Sequence, residues 1–109
     1  MNQTPEPTVA RHDPRLLQLS PHDNVAAARQ TIAAGERVLI AGQMVTVEQE
    51  IPPGHKVAVR PIAVGQKVIK YGAPIGSATR DIAPGQYVHT HNIKSDYLPT
   101  YTQRGPVEQ

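Results

Sequence analysis

The chain has 109 residues, a formal net charge of +2 at pH 7, and no cysteine, tryptophan or phenylalanine. This length corresponds to one domain, and the lack of cysteine excludes disulfides, thiolate metal sites and a cysteine nucleophile. The sequence has no cluster of basic and aromatic residues typical of nucleic-acid binding. It has no apolar run long enough to cross a membrane and no apolar signal segment. We therefore expect a cytoplasmic protein that binds neither nucleic acid nor membrane.

The apolar residues favour a β-rich domain. Eight Ile and eleven Val stand against five Leu, and β-branched side chains suit strands better than helices. Both ends contain proline and few apolar residues, so we expect a flexible N-terminal extension at 1–14 and a flexible tail at 95–109. The remaining domain, 15–94, buries only a small core, and we expect a partner subunit or a homo-oligomer to support it.

One short pattern, Ile-x-x-Gly-x-x-Val, occurs four times in the chain. A glycine between branched apolar residues provides a turn with positive φ, so each copy predicts a turn that leads into a short strand. The intervals between copies are too uneven for a solenoid with one fixed period. The four copies begin at Ile32, Ile51, Ile62 and Ile82.

Two elements are predicted before or within the first copy. Residues 16–19 are mostly apolar and predict a first strand. Asp23 or Asn24 then caps a short helix that continues to Ile32, and Gly35 lies beyond its end as a stop signal. This is the single helix that the sequence predicts.

The rest of the chain is predicted as strands and turns. Short β-branched runs bounded by Gly and Pro support this interpretation. In chain order the predicted segments are strands at 38–41, 44–49, 57–59 and 68–69, a turn at 71–76, and a last strand at 87–93.

His89 and His91 are the sharpest candidates for chemistry. On a strand, residues i and i+2 point to the same side with Cα atoms about 7 Å apart, so their imidazoles can converge on one ion. Neutral imidazole suits iron, manganese and zinc, but two ligands do not complete a site. The alternative is a polar strand end with solvated histidines.

A second candidate lies at the turn around Gly54. His55 could act as an acid, a base or a ligand, and Lys56 or Arg60 could bind a carboxylate. The alternative is an ordinary exposed turn. His12 lies in the predicted N-terminal extension and is assigned no role.

Four segments in register resemble a known family, the N-terminal SAF-type domain (antifreeze-like, β-clip) of altronate dehydratase. The same segments are similar to the small subunit of sulfolactate sulfo-lyase and, more distantly, to the start of galactarate dehydratase. The resemblance runs from Leu16 to Ile93 and rests on Asp23-Asn24-Val25-Ala26, Gly54-His55-Lys56-Val57-Ala58, Ile69-Lys70-Tyr71-Gly72-Ala73-Pro74-Ile75-Gly76 and Val88-His89-Thr90-His91-Asn92.

The resemblance implies a mainly β SAF-type fold, to which the sequence pattern adds the one short helix. It also implies a lyase that removes water, or sulfite, from a 2-hydroxy acid with the help of a divalent metal, iron or manganese. On this basis His89 and His91 are expected to be metal ligands and His55 and Lys56 catalytic. Lys56, Arg60 and Tyr71 are expected to bind the substrate.

In the family that these segments resemble, the fused dehydratase continues into a much larger catalytic domain. We therefore expect a separately encoded small subunit, or an isolated domain, that is inactive without a large catalytic partner subunit. Two alternatives remain open: the α subunit of a sulfolactate sulfo-lyase, and a non-catalytic SAF-type binding module, because one fold hosts several functions.

Overall fold

A computed structural model of the chain describes residues 11–96. The described residues form strands and turns without a helix, so the expected mainly β fold is confirmed. The strands are Leu16–Leu17 (β1), Val25–Ala28 (β2), Arg37–Ile40 (β3), Gln43–Thr46 (β4), Lys56–Ala58 (β5), Lys67–Lys70 (β6), Ala73–Ala78 (β7), Tyr87–Val88 (β8) and Ile93–Lys94 (β9).

These strands pair into three antiparallel sheets, and the central one is covered on both faces. The central sheet has the order β1-β2-β5-β8, and it lies between the β3–β4 hairpin and the β6-β7-β9 sheet. The first core lies between the central sheet and the β3–β4 hairpin, and the second core lies between the central sheet and the β6-β7-β9 sheet. Neighbouring residues of a strand alternate between them: Ala26 and Val57 pack in the first core, and Val25 and Ala58 pack in the second. A sheet covered on both faces needs apolar residues at successive positions.

The predicted helix is wrong, and this double burial is the reason. Val25–Ala28 is strand β2, paired with both β1 and β5. A short continuous apolar run does not distinguish a buried strand from a buried helix. Asp23 is not a helix cap either, because its carboxylate accepts hydrogen bonds from the backbone amides of Ser20, Tyr71 and Gly72.

The four copies of the Ile-x-x-Gly-x-x-Val pattern adopt the same turn, as predicted. In each copy the glycine is the third residue of a type II β-turn with φ between 81° and 92°, and the turn is closed by a backbone hydrogen bond of 2.9–3.1 Å. Gly35 therefore forms a turn rather than ending a helix. Ile32 exchanges two backbone hydrogen bonds with Ile51, as Ile62 does with Ile82. The domain thus consists of two similar halves, which carry the hairpins β3–β4 and β6–β7.

The predicted turn at 71–76 is shorter in the structure. Tyr71 and Gly72, with φ of 57° and 75°, form a two-residue connection between β6 and β7. Such a pair of positive φ values is typical of a type I′ hairpin turn. The chain from Ala73 onward is strand, so the Gly-Pro-Gly content of this segment misled the sequence interpretation.

The predicted last strand, 87–93, is interrupted by a turn. β8 ends at Val88 and β9 begins at Ile93. The buried side chain of Asn92 closes the turn: its Oδ1 accepts from the His89 amide at 2.9 Å and its Nδ2 donates to the Tyr87 carbonyl at 2.8 Å. His89 and His91 therefore lie on a turn rather than on a strand.

Most of the predicted extension, 1–14, and tail, 95–109, lies outside the described residues. Residues 11–14 and 95–96 are described, and Arg11 and Asp13 form backbone hydrogen bonds with the β3–β4 hairpin. The Arg11 carbonyl accepts from the Gly42 amide at 2.9 Å, and the Asp13 amide donates to the Leu39 carbonyl at 2.7 Å. Within residues 11–96 no helix is long and apolar enough to span a membrane.

Candidate functional site

Three histidines surround one tyrosine in a group that we call the histidine cluster: His55, Tyr87, His89 and His91. His55 Nδ1 lies 2.5 Å from Tyr87 Oη. The ring of His89 stacks on the ring of Tyr87, with centroids 5.5 Å apart and 8° between the planes. The ring centroid of His91 lies 5.6 Å from that of Tyr87, and that of His89 lies 5.3 Å from that of His55.

Pairing of β5 with β8 brings these residues together from distant parts of the chain. His55 follows the turn at Gly54 and immediately precedes β5, and Val57 of β5 lies directly opposite Tyr87 of β8. Tyr87 packs against the first core. His89 and His91 follow on the turn that Asn92 closes. The cluster therefore has one side that packs on the first core and one side that faces solvent.

Exposure differs within the cluster. His89 and His91 are exposed, whereas His55 and Tyr87 are half-buried. The rings of His89 and His91 both lie beside that of Tyr87, but the turn between β8 and β9, rather than strand alternation, gives them their positions.

The cluster alone does not fit a metal site. Within residues 11–96, no group of three or more His, Cys, Asp or Glu side chains is placed to hold an ion. Ring contacts join His55 to His89, whereas among the described residues none joins His89 to His91. A complete first shell would need ligands from outside these residues.

Lys56 leaves the opposite face of the sheet from the histidine cluster. Its strand neighbour Ala58 and its register partner Val88 both pack in the second core. Partial burial, together with the nearby Lys70 ammonium, lowers the pKa of Lys56. Within the described part of the chain, no carboxylate pairs with Lys56, so this half-buried cation is available to an anion.

The other expected substrate-binding residues, Tyr71 and Arg60, do not join the histidine cluster. Tyr71 is 65% exposed, and Lys70 Nζ lies 5.0 Å from its ring centroid, so Tyr71 lies beside Lys70 rather than beside the histidines. Arg60 Nη2 donates to the Pro21 carbonyl, in the loop before β2, at 2.5 Å. The expected set of site residues is therefore divided between different parts of the surface.

A polar cleft of about 230 Å³ adjoins the histidine cluster at Tyr87 and His91. Its other lining residues are polar or charged, with both signs present, which suits a small hydroxylated molecule better than an apolar one. The sequence did not predict this cleft, because its lining residues come from separate segments in both halves of the domain. They include Glu48, Arg80, Asp81 and Gln86.

Comparisons with known proteins give the family. Residues 14–96 match the family model described as altronate/galactarate dehydratase SAF domain. The chain is 49% identical to altronate dehydratase of Escherichia coli (strain K12) over 74 residues, which is 68% of this chain and 15% of that protein. It is 37% identical to altronate dehydratase of Bacillus subtilis (strain 168) over 92 residues, 81% of this chain and 18% of that protein.

A shorter relative is covered more fully. The chain is 40% identical over 68 residues to the (2R)-sulfolactate sulfo-lyase subunit alpha of Chromohalobacter salexigens, which is 50% of this chain and 72% of that subunit. By contrast, the chain spans less than a fifth of the length of the two altronate dehydratases. On the match to residues 14–96, this chain belongs to the altronate/galactarate dehydratase SAF domain family.

Proposed function

We propose that this chain is the SAF-domain component of a sugar-acid dehydratase of the altronate dehydratase type. In this proposal it removes water from an aldonate together with a large catalytic subunit, in the cytoplasm. The observation that carries the proposal is the histidine cluster beside β8, an edge strand of the central sheet. It combines exposed imidazoles with a polar cleft in a chain of this family.

The cluster offers the groups that dehydration of a 2-hydroxy acid needs. A base takes the proton next to the carboxylate, and an acid protonates the hydroxide that leaves. Imidazole can serve in both roles near neutral pH. We propose that His55 and His89, whose ring centroids are 5.3 Å apart, face the substrate. His91 and the cleft would contact its hydroxyl groups.

In this proposal Lys56 does not act together with the histidine cluster. Because it leaves the other face of the sheet, next to Lys70, it would bind an anionic group there rather than assist His55. The divalent metal implied by the resemblance, iron or manganese, would polarise the carboxylate and 2-hydroxyl oxygens of the substrate. His89 or His91 would supply at most part of its coordination, with the remaining ligands from the large subunit.

The second candidate is the α subunit of a sulfolactate sulfo-lyase. The observation that supports it is the 40% identity of this chain to such an α subunit over 68 residues. The higher identity of 49% to the Escherichia coli altronate dehydratase favours the first candidate. Both candidates use a 2-hydroxy acid, and they differ in whether water or sulfite leaves.

One reconstitution experiment distinguishes the two. The chain is combined with the large subunit of a dehydratase and separately with that of a sulfo-lyase, and each pair is assayed with altronate and with (2R)-sulfolactate. Keto-acid formation from altronate supports the first candidate, and sulfite release supports the second. Full dehydration of altronate by the chain alone would contradict the two-subunit proposal. Activity in neither pair, with tight binding of a carbohydrate, would favour a non-catalytic module.

A further inference from the structure

His55 is the fourth residue of one of the four type II turns, so its side chain can be compared with the side chains at the same position in the other turns. Gln66 and Gln86 occupy this position in two of the other turns. Each uses its side-chain Oε1 to accept from the backbone amide of the first residue of its own turn, at 2.6 and 3.0 Å. The first residue of the His55 turn is Pro52, which has no N–H to donate. The His55 ring is therefore not held by its own turn.

Tyr87 provides the partner that the turn does not. Its hydroxyl lies 2.5 Å from His55 Nδ1, and its ring packs on one side against the first core. The phenolic O–H is a better donor than the N–H of a neutral imidazole, and neutral imidazole has one acceptor nitrogen. The arrangement that suits both groups is donation from Tyr87 Oη to His55 Nδ1.

This hydrogen bond determines which nitrogen of His55 faces a ligand. When Nδ1 accepts, the single proton of the neutral ring resides on Nε2. No described residue hydrogen-bonds to His55 Nε2. An Nε2–H group can donate to a substrate oxygen, but it has no lone pair for a metal ion.

We propose that Tyr87 is the positioning residue that holds neutral His55 in its Nε2–H form. His55 is thereby a hydrogen-bond donor to the carboxylate or hydroxyl oxygens of the substrate, rather than a metal ligand. The inference rests on the proposed function for the identity of that substrate. The hydrogen bond itself can be tested without any lyase activity.

The test is ¹⁵N NMR of the histidine rings in the 109-residue chain, at a pH above the range in which histidine titrates. The spectrum supplies two internal references. His12 Nδ1 accepts from the Ala41 amide at 3.1 Å, so its ring must carry the proton on Nε2. His22 is exposed, and no ring hydrogen bond joins it to another described residue. The His55 signal is assigned by its loss in His55→Gln.

In the wild-type chain we expect His55 to show the Nε2–H pattern of His12. In Tyr87→Phe we expect its tautomer ratio to shift to that of His22, while the backbone amide spectrum outside the cluster stays unchanged because the aromatic ring is retained. Tyr71→Phe is the matched control, since Tyr71 is 65% exposed and contacts none of the cluster. It should leave the His55 ratio unchanged.

Two results would overturn the inference: an Nδ1–H form of His55 in the wild type, or the same His55 ratio in wild type and Tyr87→Phe. Neither result depends on lyase activity. Conversely, an inactive reconstituted enzyme with an intact Nε2–H pattern would contradict the proposed function and leave the role of Tyr87 standing.

Discussion

The buried carboxylate of Asp23 accepts a hydrogen bond of 2.7 Å from the backbone amide of Gly72, 49 residues later in the chain. It also accepts from the amides of Tyr71 and Ser20, at 3.0 and 3.1 Å. Tyr71 has φ of 57°, a left-handed conformation that costs a non-glycine residue about 1 kcal/mol. The loop before β2 thus stabilises the tip of the β6–β7 hairpin.

The first prediction concerns the stability that this carboxylate provides. Asp23→Ala should lower the free energy of unfolding by about 3 kcal/mol, because it leaves three amides without their acceptor. Asp23→Asn keeps one carbonyl oxygen and should lose less. Chemical denaturation measures both. The control is Asp81→Ala, an exposed carboxylate that accepts one amide bond at 2.9 Å, with an expected loss of about 1 kcal/mol. Equal losses in Asp23→Ala and the control would contradict the prediction.

The second prediction compares two turn glycines with nearly the same backbone. Gly54 and Gly85 have φ of 81° and 90°, so alanine at either position costs about 1 kcal/mol in strain. At Gly54 an added Cβ meets nothing within 4 Å, whereas at Gly85 it would overlap Cγ1 of Val45 in the other half of the domain. Gly85→Ala should therefore destabilise the fold by about 1–3 kcal/mol more than Gly54→Ala.

A double-mutant cycle checks the cause of this difference. Val45→Ala removes the overlapping methyl group, so the cost of Gly85→Ala should fall toward that of Gly54→Ala in this background. Thermal or chemical unfolding gives all the values. If the cost of Gly85→Ala is unchanged by Val45→Ala, the overlap is not its origin.

The third prediction is a pH dependence that arises from His12. Burial lowers the pKa of His12, and nearby Arg60 acts in the same direction, against the hydrogen bond with Gln18. The unfolded chain, with the ordinary pKa of about 6.5, therefore binds more protons than the folded chain just below that pH. The free energy of unfolding should fall as pH decreases through this window and become level below the folded pKa.

The measurement is denaturant unfolding over a pH series in the wild type and in His12→Gln. The wild type should lose stability relative to His12→Gln as the pH falls below about 6.5. His22→Gln serves as the control, since His22 is exposed, and its curve should run parallel to that of the wild type. Parallel curves for His12→Gln and the wild type would show that His12 contributes nothing.

The features that the sequence predicted are those with local causes. The glycine of each Ile-x-x-Gly-x-x-Val copy has positive φ because the turn itself requires it, whatever the rest of the chain does. The helix prediction failed at Val25–Ala28 because covering a sheet on both faces is a tertiary property. Two adjacent apolar residues there point into different cores, and the same letters would suit a helix.

In the candidate site, too, residue types could be predicted from the sequence, whereas features that depend on tertiary structure could not. His55, His89 and His91 stand out by residue type, so the sequence could nominate them. The role of Tyr87 depends on the register of β5 against β8, and the turn at Asn92 depends on one buried amide side chain. Neither register nor burial can be read from one sequence without knowing which strands pair.

The last prediction concerns activity of the assembled enzyme. Replacing His89 and His91 together with Ala should lower activity at least about 100-fold, the scale of a lost acid–base group. The fold should remain, because both side chains are exposed and such substitutions change stability by only about 0.5 kcal/mol. Steady-state assays of the reconstituted pair measure the first effect, and denaturation of the chain measures the second.

The single variants separate the two histidines. The ring of His89 contacts both His55 and Tyr87, whereas that of His91 contacts Tyr87. If His55 and His89 are the acid–base pair, then His89→Ala should resemble the double variant, whereas His91→Ala, which removes a proposed contact to the substrate hydroxyls, should lower activity less. His22→Ala, an exposed histidine outside the cluster, should retain all of it. Wild-type activity in the double variant would rule out both an acid–base and a metal-binding role for these two residues. Equal losses in the two single variants would instead indicate that both act in the acid–base step or that both bind a metal together with ligands from the large subunit.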